Sequence, residues 1–335
     1  MSSTFLVEDD SVELLSLRGF ARAHPELVGI VEDPLFLHAT QRSHGRRVGL
    51  VSGGGSGHEP LHVGFLGQGM LDAVAPGRVF ASPHNRQIYE ASRQAAGPDG
   101  VLHIVKNYTG DRINFGIAAE RLAHDGIPVR RVLVDDDIAT ESADTATGRR
   151  GTAATVVVEK LLGAAADDGW GLDDLADLGS AVAAASRSIA VASHAHTSIH
   201  TGLAAFSLDP GTLEYGVGIH GERAAASIQR LPLPELVERM CTEILEKLGE
   251  VSDPLALVVN GLGATTQIEL HLIFELAAQF LEQRGGDVAA SLVGTFVPAL
   301  DMHGFSLSIT TLQNRWLEWF QRPVSTPSYP TRGLS

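Results

Sequence analysis

Apolar positions along this chain fall into short unbroken runs that close on glycine or on polar turns, as in "RVGLVSGGG", "VLHIVKNYTG", "VRRVLVDDD" and "SIAVASHAH". Runs of that length without alternation are the pattern of strands buried on both faces, each delivering a loop at its C-terminal end. Between them the apolar spacing lengthens to the helical period, in "RINFGIAAERLAHDG" and "TAATVVVEKLLGAAADDG". Each of these closes on a glycine suited to a helix C-terminus. Strands alternating with helices predict the α/β class, with parallel strands joined by helical crossovers. In such sheets ligands collect beyond the strand C-termini, where the loops gather.

A break is expected around residues 180–190, after "LDDLADLGSAVAAASRS", and the pattern then restarts. "LPELVERMCTEILEKLGE" predicts a helix, "PLALVVNGLGA" a strand and loop, and "QIELHLIFELAAQFLEQRGG" a long helix. "DVAASLVGTFV" and "FSLSITTL" follow as strands, and the tail "RPVSTPSYPTRGLS" reads as an extended segment able to pack across a surface. The expectation is two α/β domains with largely parallel sheets flanked by helices, residues 1–188 and 189–335, and no internal repeat.

Composition narrows the partners. A chain of 335 residues exceeds the ~250–300 at which single cores stop growing. A formal net charge of −15 argues against broad contact with nucleic acid or an anionic membrane. The single cysteine, Cys241, rules out an internal disulfide and lies at an apolar helical position, where it reads as a core residue. "MSSTFLVEDDSVELL" lacks a basic n-region and an apolar h-region. No stretch reaches the ~18 apolar residues of a membrane span. These features lead to an expectation of a soluble, cytoplasmic protein.

"VSGGGSGHEPLH", residues 51–62, admits several chemistries. A phosphate loop needs a lysine after its glycines, and here His58 and Glu59 follow Gly57. A hydrolase elbow would use Ser56, but its closing glycine is replaced by His58. The zinc-protease pattern is met literally by His58-Glu59-Pro60-Leu61-His62, yet a proline directly after a Gly/Ser loop suggests a helix only beginning there. What remains is a glycine turn presenting backbone N–H groups and one imidazole, and on this stretch alone a structural turn with a surface histidine is the better reading. "NYTGD" adds Asp111 after a strand, and "GVGIHGE" sets His220 between glycines that permit close approach. Titratable side chains on Gly-rich loops suggest acid/base work on a small polar molecule.

Taken together, "VSGGGSGHEP", "GMLDAVAPGRVFASP", "VKNYTGDRINFGIAAE", "TGRRGTAATVVVEKLLGAAA", "GVGIHGE", "VNGLGAT" and "SLVGTFVPALDMHGFSLSI" resemble the DhaK-type subunit of dihydroxyacetone kinase, in order from about residue 48 onward. The resemblance implies a two-domain α/β protein, usually a homodimer, that binds dihydroxyacetone. It implies that His220 holds the ketone as a hemiaminal, and that Asp111, as general base, and His58 sit at the hydroxyl to be phosphorylated. It also implies that the turn Gly54, Gly55, Ser56 and Gly57 contacts the substrate, Gly55 especially. The phosphoryl donor then comes from ATP or ADP with Mg2+ on a separate all-helical subunit, in one branch recharged by a sugar-phosphotransferase component. No cofactor or metal is expected on this chain.

The remaining candidates divide between chemistry and structure. Asp135, Asp136 and Asp137 read as a turn and helix cap rather than Mg2+ ligands. Arg149 and Arg150 could meet a phosphate or pair with acids. His194, His196 and His200 in "SHAHTSIH" read as loop histidines rather than a zinc site. That stretch, Arg223-Ala224 and His84-Asn85 depart from the family pattern, which opens a larger ketose such as erythrulose as substrate. The alternative function is a ketose-sensing paralogue that activates a transcription factor without phosphotransfer; retention of both His58 and Asp111 favours the kinase. A serine hydrolase using Ser56 is the third reading.

Overall fold

The structure, a computed structural model, describes residues 5–6, 12–141, 148–220, 226–249 and 253–330. The chain forms two compact units, interleaved in sequence. The first holds residues 9–134, 155–182 and 318–335, the second residues 1–8, 135–154 and 183–317. The crossing between Val182 and Ala183 lies near the single division expected at 188–189. The other crossings have no counterpart in that expectation, because the contacts that recruit them are remote in sequence.

In the first unit, helix α1 (Val12–Ala23) precedes strands β1 (Val28–Glu32), β2 (Leu35–Ala39), β3 (Gly49–Ser56) and β4 (Ala73–Val79). Helix α2 (Asn85–Ala95), β5 (Val101–Lys106), α3 (Thr109–His124), β6 (Val129–Val134), α4 (Ala154–Asp167) and α5 (Leu172–Ala184) follow. The sheet order is β1-β2-β4-β3-β5-β6. Strands β4, β3, β5 and β6 run parallel, and β1 and β2 form an antiparallel margin. Gly126 and Gly169, at φ 78° and 83°, end α3 and α4 as the sequence suggests.

Strand alternation sorts the first sheet's faces. Val51, Val101 and Val105 join Ile88, Ala91, Phe115 and Ala118 in a core beneath α2 and α3. The residues that follow Val51 and Val105, Ser52 and Lys106, turn to the other face, where α4 lies. Gly163 lets α4 seat against the Gly69 carbonyl, which a Cβ would approach to 2.0 Å. The tail packs back on this unit through Ser325 N–H to the Gln68 carbonyl and Ser328 N–H to that of Gly64, with Tyr329 against Phe65.

The second unit contains β7 (Ser186–His194), β8 (Thr212–Tyr215), β9 (Ala226–Gln229), α6 (Leu233–Leu248), β10 (Leu255–Gly261), α7 (Gln267–Gln283), β11 (Ala290–Gly294) and β12 (His303–Thr311). A short helix α8 (Trp316–Gln321) comes after them. Its sheet, β11-β10-β12-β7-β8-β9, is flanked by α6 and α7. The α/β class holds for both sheets, but this one is mixed: β10–β11 is its one parallel pair, joined by the α7 crossover. Apolar runs record burial, not strand direction, so they carried no sign of this. Cys241 packs in the core of α6, and burial pushes its thiol up to about 12.

Candidate functional site

Strands β3 and β5 are parallel neighbours, so their C-terminal ends deliver the glycine turn and the start of α3 to the same sheet edge. The glycines of β3 are there because their surroundings leave no room. A Cβ on Gly53 would lie 2.4 Å from the Ala75 carbonyl oxygen, and one on Gly55 2.7 Å from the Ala81 nitrogen. On the opposite face, a Cβ on Gly54 would lie 2.3 Å from Lys106 Nζ. The strand is bare where β4 and its loop press on one side and an ammonium group presses on the other. Gly57, at φ 94°, then turns the chain, and Glu59 accepts its N–H at 2.8 Å.

His58 follows, and it is 1% exposed, so the reading of a surface histidine does not hold. Its ring lies 5.1 Å from that of Phe80. Ser56 Oγ donates to the Gly77 carbonyl at 2.8 Å, which commits the hydroxyl to the backbone and disfavours a nucleophilic serine. Residues 57–62 form bends and turns ahead of a short 3-10 turn at Val63–Phe65, so the helix expected to begin there is absent. His58 and His62 therefore do not share a helix face, and the zinc-protease geometry is missing.

Asp111 lies in the first turn of α3, 2% exposed, where a carboxylate also meets the positive end of the helix. Its Oδ1 is buried with no hydrogen-bond partner among the described residues. A buried carboxylate oxygen left open in this way is suited to receiving a proton from a ligand.

The sequence reading missed the group beside these residues. Lys106, the last residue of β5, donates from Nζ to His62 Nε2 at 2.8 Å and lies 3.5 Å from the Gly53 carbonyl. Because an ammonium has no acceptor, Nε2 must accept, which puts the His62 proton on Nδ1. Nδ1 lies 2.5 Å from Glu159 Oε1 on α4 and 3.0 Å from Ser52 Oγ. Burial lowers Lys106, while the charges of Asp111 and Glu159 pull it back up. Burial also holds the His62 imidazolium well below its ordinary range, with Lys106 and then His58 adding to that. Burial raises Glu159, against the pull of Lys106. His58 and Asp111 thus both bear electrostatically on the same buried pair. A signal was legible: Lys106 closes an apolar strand, and Glu159 interrupts an apolar helix, each a charge that burial forces to find a partner.

His220 belongs to the second unit, half-buried in the segment after β8, next to buried Ile219. The first unit brings His58, Asp111 and Gly54–Gly57 to one edge. Residues 221–225, Arg223-Ala224 among them, lie outside the described residues.

The other candidates take structural partners. Asp137 caps a 3-10 turn by accepting from Ala139 N–H and binds Arg150 at 2.6 Å. Asp136 accepts from Thr152 and Ala154 at the start of α4. Arg149 pairs with Asp135 and Glu141. His84 caps α2, accepting from Arg86 N–H. Among the described residues no cluster suited to a metal is present, including at His194, His196 and His200, and no helix is long and apolar enough to cross a membrane.

The family model for the Dak1 domain matches residues 18–328. This chain belongs to the Dak1 domain family. The PTS-dependent dihydroxyacetone kinase 1, dihydroxyacetone-binding subunit DhaK, of Listeria innocua is 39% identical over 95% of this chain and 97% of its own length. Among solved structures, the dihydroxyacetone kinase of C. freundii matches with a TM-score of 0.89 at 33% identity, over 99% of this chain and 61% of its own. The dihydroxyacetone kinase operon co-activator Dha-DhaQ matches with a TM-score of 0.88 at 29% identity, over 93% of this chain and 97% of its own. The proteins this chain resembles thus include both kinase components and an operon co-activator.

Proposed function

We propose that this chain is the ketose-binding subunit of a dihydroxyacetone kinase, active with a nucleotide-bearing partner. The observation that carries the reading is the near end-to-end likeness to a dihydroxyacetone-binding subunit, joined to a glycine turn with His58 and an open Asp111 oxygen at one strand edge.

His220 Nε2 adds to the ketone carbon; the C–N bond forms, the carbonyl π pair moves to oxygen, and that oxygen gains a proton as the imidazole loses one. The product is a reversible hemiaminal that no simple polyol can form. Anchoring fixes a terminal hydroxyl near Asp111, which removes the encounter entropy of the next step. Asp111 accepts the hydroxyl proton as the oxygen attacks the terminal phosphorus of the partner's nucleotide and the P–O bond to the departing nucleoside diphosphate breaks, with His58 beside it. Gly55 and its neighbours offer close backbone approach, and Lys106 offers a cation for substrate oxygen. The nucleotide and its Mg2+ belong to the partner, a helical subunit that uses ATP directly or is recharged by a sugar-phosphotransferase component. The chain itself is proposed to work as a cytoplasmic homodimer.

A regulatory reading is favoured by the co-activator likeness: the same pocket would bind a ketose and signal without phosphotransfer. The test is reconstitution of this chain with a nucleotide-bearing subunit and donor, measuring phosphate transfer to dihydroxyacetone and to erythrulose. Turnover of either supports the kinase and names the ketose. Binding without turnover, with every partner tried active on its own cognate subunit, supports the regulator.

A further inference from the structure

Resting on the function proposed above, we propose that Glu159 and His62 are positioning residues for that reaction: they form an imidazole-bridged ion pair that keeps Lys106 Nζ charged and fixed beneath the glycine turn.

The inference starts from where the strand puts Lys106. Alternation along β5 turns it away from the α2–α3 core and under α4, where it is 1% exposed. Its four-carbon stem cannot reach water there, and a lone buried ammonium sheds its proton. Glu159, 0% exposed on α4, supplies the compensating charge, and His62, 3% exposed, spans the gap at 2.5 Å and 2.8 Å. The bridge is directional. Its neutral imidazole donates to the carboxylate from Nδ1 and accepts from the ammonium at Nε2. A rigid ring held at both ends leaves Nζ one place to be.

That place is functional. Of three ammonium protons, one serves His62 and one points along the long contact to Gly53, which leaves a donor for a ligand oxygen. Gly54 removes the side chain that would occupy Nζ's position. Asp111 is near enough for its charge to be felt at Lys106, where it favours the charged ammonium.

Stability does not account for the arrangement. Well-packed apolar residues serve as well as a buried ion pair or better, whereas removing one partner strands the other charge. Glu159 Oε2 and Thr155 Oγ1 are moreover buried without hydrogen-bond partners among the described residues, an added cost that packing alone would select against. His62 and Glu159 stand behind Lys106 and need no contact with the ketose; they act through it.

The chain has only three lysines, Lys106, Lys160 and Lys247, so lysine labelled with 13C at Cε gives three resolvable NMR titrations. In Glu159→Gln, which keeps size and loses charge, the Lys106 midpoint falls by roughly one pH unit or more. In the reconstituted kinase the same variant loses about 10-fold or more in kcat, with KM for dihydroxyacetone changed far less because His220 still anchors the ketone. His62→Gln, whose amide carries one donor and one acceptor, retains most of the wild-type kcat; His62→Leu, of similar bulk, does not. The His62 pair also decides the matter should Glu159→Gln fail to fold. An unmoved Lys106 midpoint in Glu159→Gln, or equal kcat for His62→Gln and His62→Leu, overturns the proposal while leaving the kinase reading intact. A wild-type chain that neither binds nor phosphorylates a ketose overturns the reading on which it rests.

Discussion

At the scale of single residues, the site is defined as much by missing atoms as by present ones. Gly54 and Gly55 are adjacent, yet the neighbours that exclude a side chain differ. At Gly55 a Cβ meets backbone of Phe80 and Ala81 at 2.7–2.9 Å, which cannot yield cheaply. Gly55→Ala is expected to destabilise the fold by about 1–3 kcal/mol, as overpacking does, read from denaturant midpoints. At Gly54 the obstacle is Lys106 Nζ, which the imidazole bridge holds in place. Gly54→Ala is therefore expected to push the ammonium off its buried partners, lowering the denaturation midpoint as well as kcat; a stable, fully active variant would contradict the placement of Lys106 at the site. Asp111→Asn removes the proton acceptor but not the anchor, so it should still bind ketose while kcat falls roughly 10²–10⁴-fold.

Elements explain why some of this was legible and some was not. Strands β3, β5 and β7 follow the apolar runs because they are buried on both faces, whereas β6, at the margin of its sheet, exposes Arg130 and Arg131. Helices α3, α4 and α6 end where glycine permits a positive φ. The turn with His58 and the cap carrying Asp111 were visible as motifs. Lys106 and Glu159 showed only as lone charges in apolar segments, and their meeting with His62 was not legible, since a strand, a turn and a helix come together only in the fold. His103 shows a further consequence of burial within an element. It faces Ser92 and Phe115 from the middle of β5, and burial lowers its imidazole from 6.5 to about 3, with Arg131 contributing. An unfolded histidine takes a proton that this one refuses, so its contribution is fully present above pH 6.5 and is lost as pH falls toward 3. His103→Gln should accordingly lose less melting temperature than wild type between pH 7 and pH 5; parallel losses would contradict a neutral buried imidazole.

On the scale of the whole molecule, the interleaving of the two units is what sequence order could least reveal. Residues 155–182 fold with the strands that precede them by way of α4, while residues 135–154 fold with strands that come later. The mixed second sheet was hidden for the same reason, since pairing direction is a property of the assembled chain. The two units carry different parts of the proposed chemistry, the acid/base groups in the first and His220 in the second. Crystals of the wild type and of His220→Ala, soaked in dihydroxyacetone, test this most directly. The account predicts electron density continuous from His220 Nε2 to the ketose carbon in the wild type, with a terminal hydroxyl at Asp111, and no covalent density in the variant. A wild-type crystal with no ketose joined to His220 under conditions that bind it would contradict the anchoring mechanism.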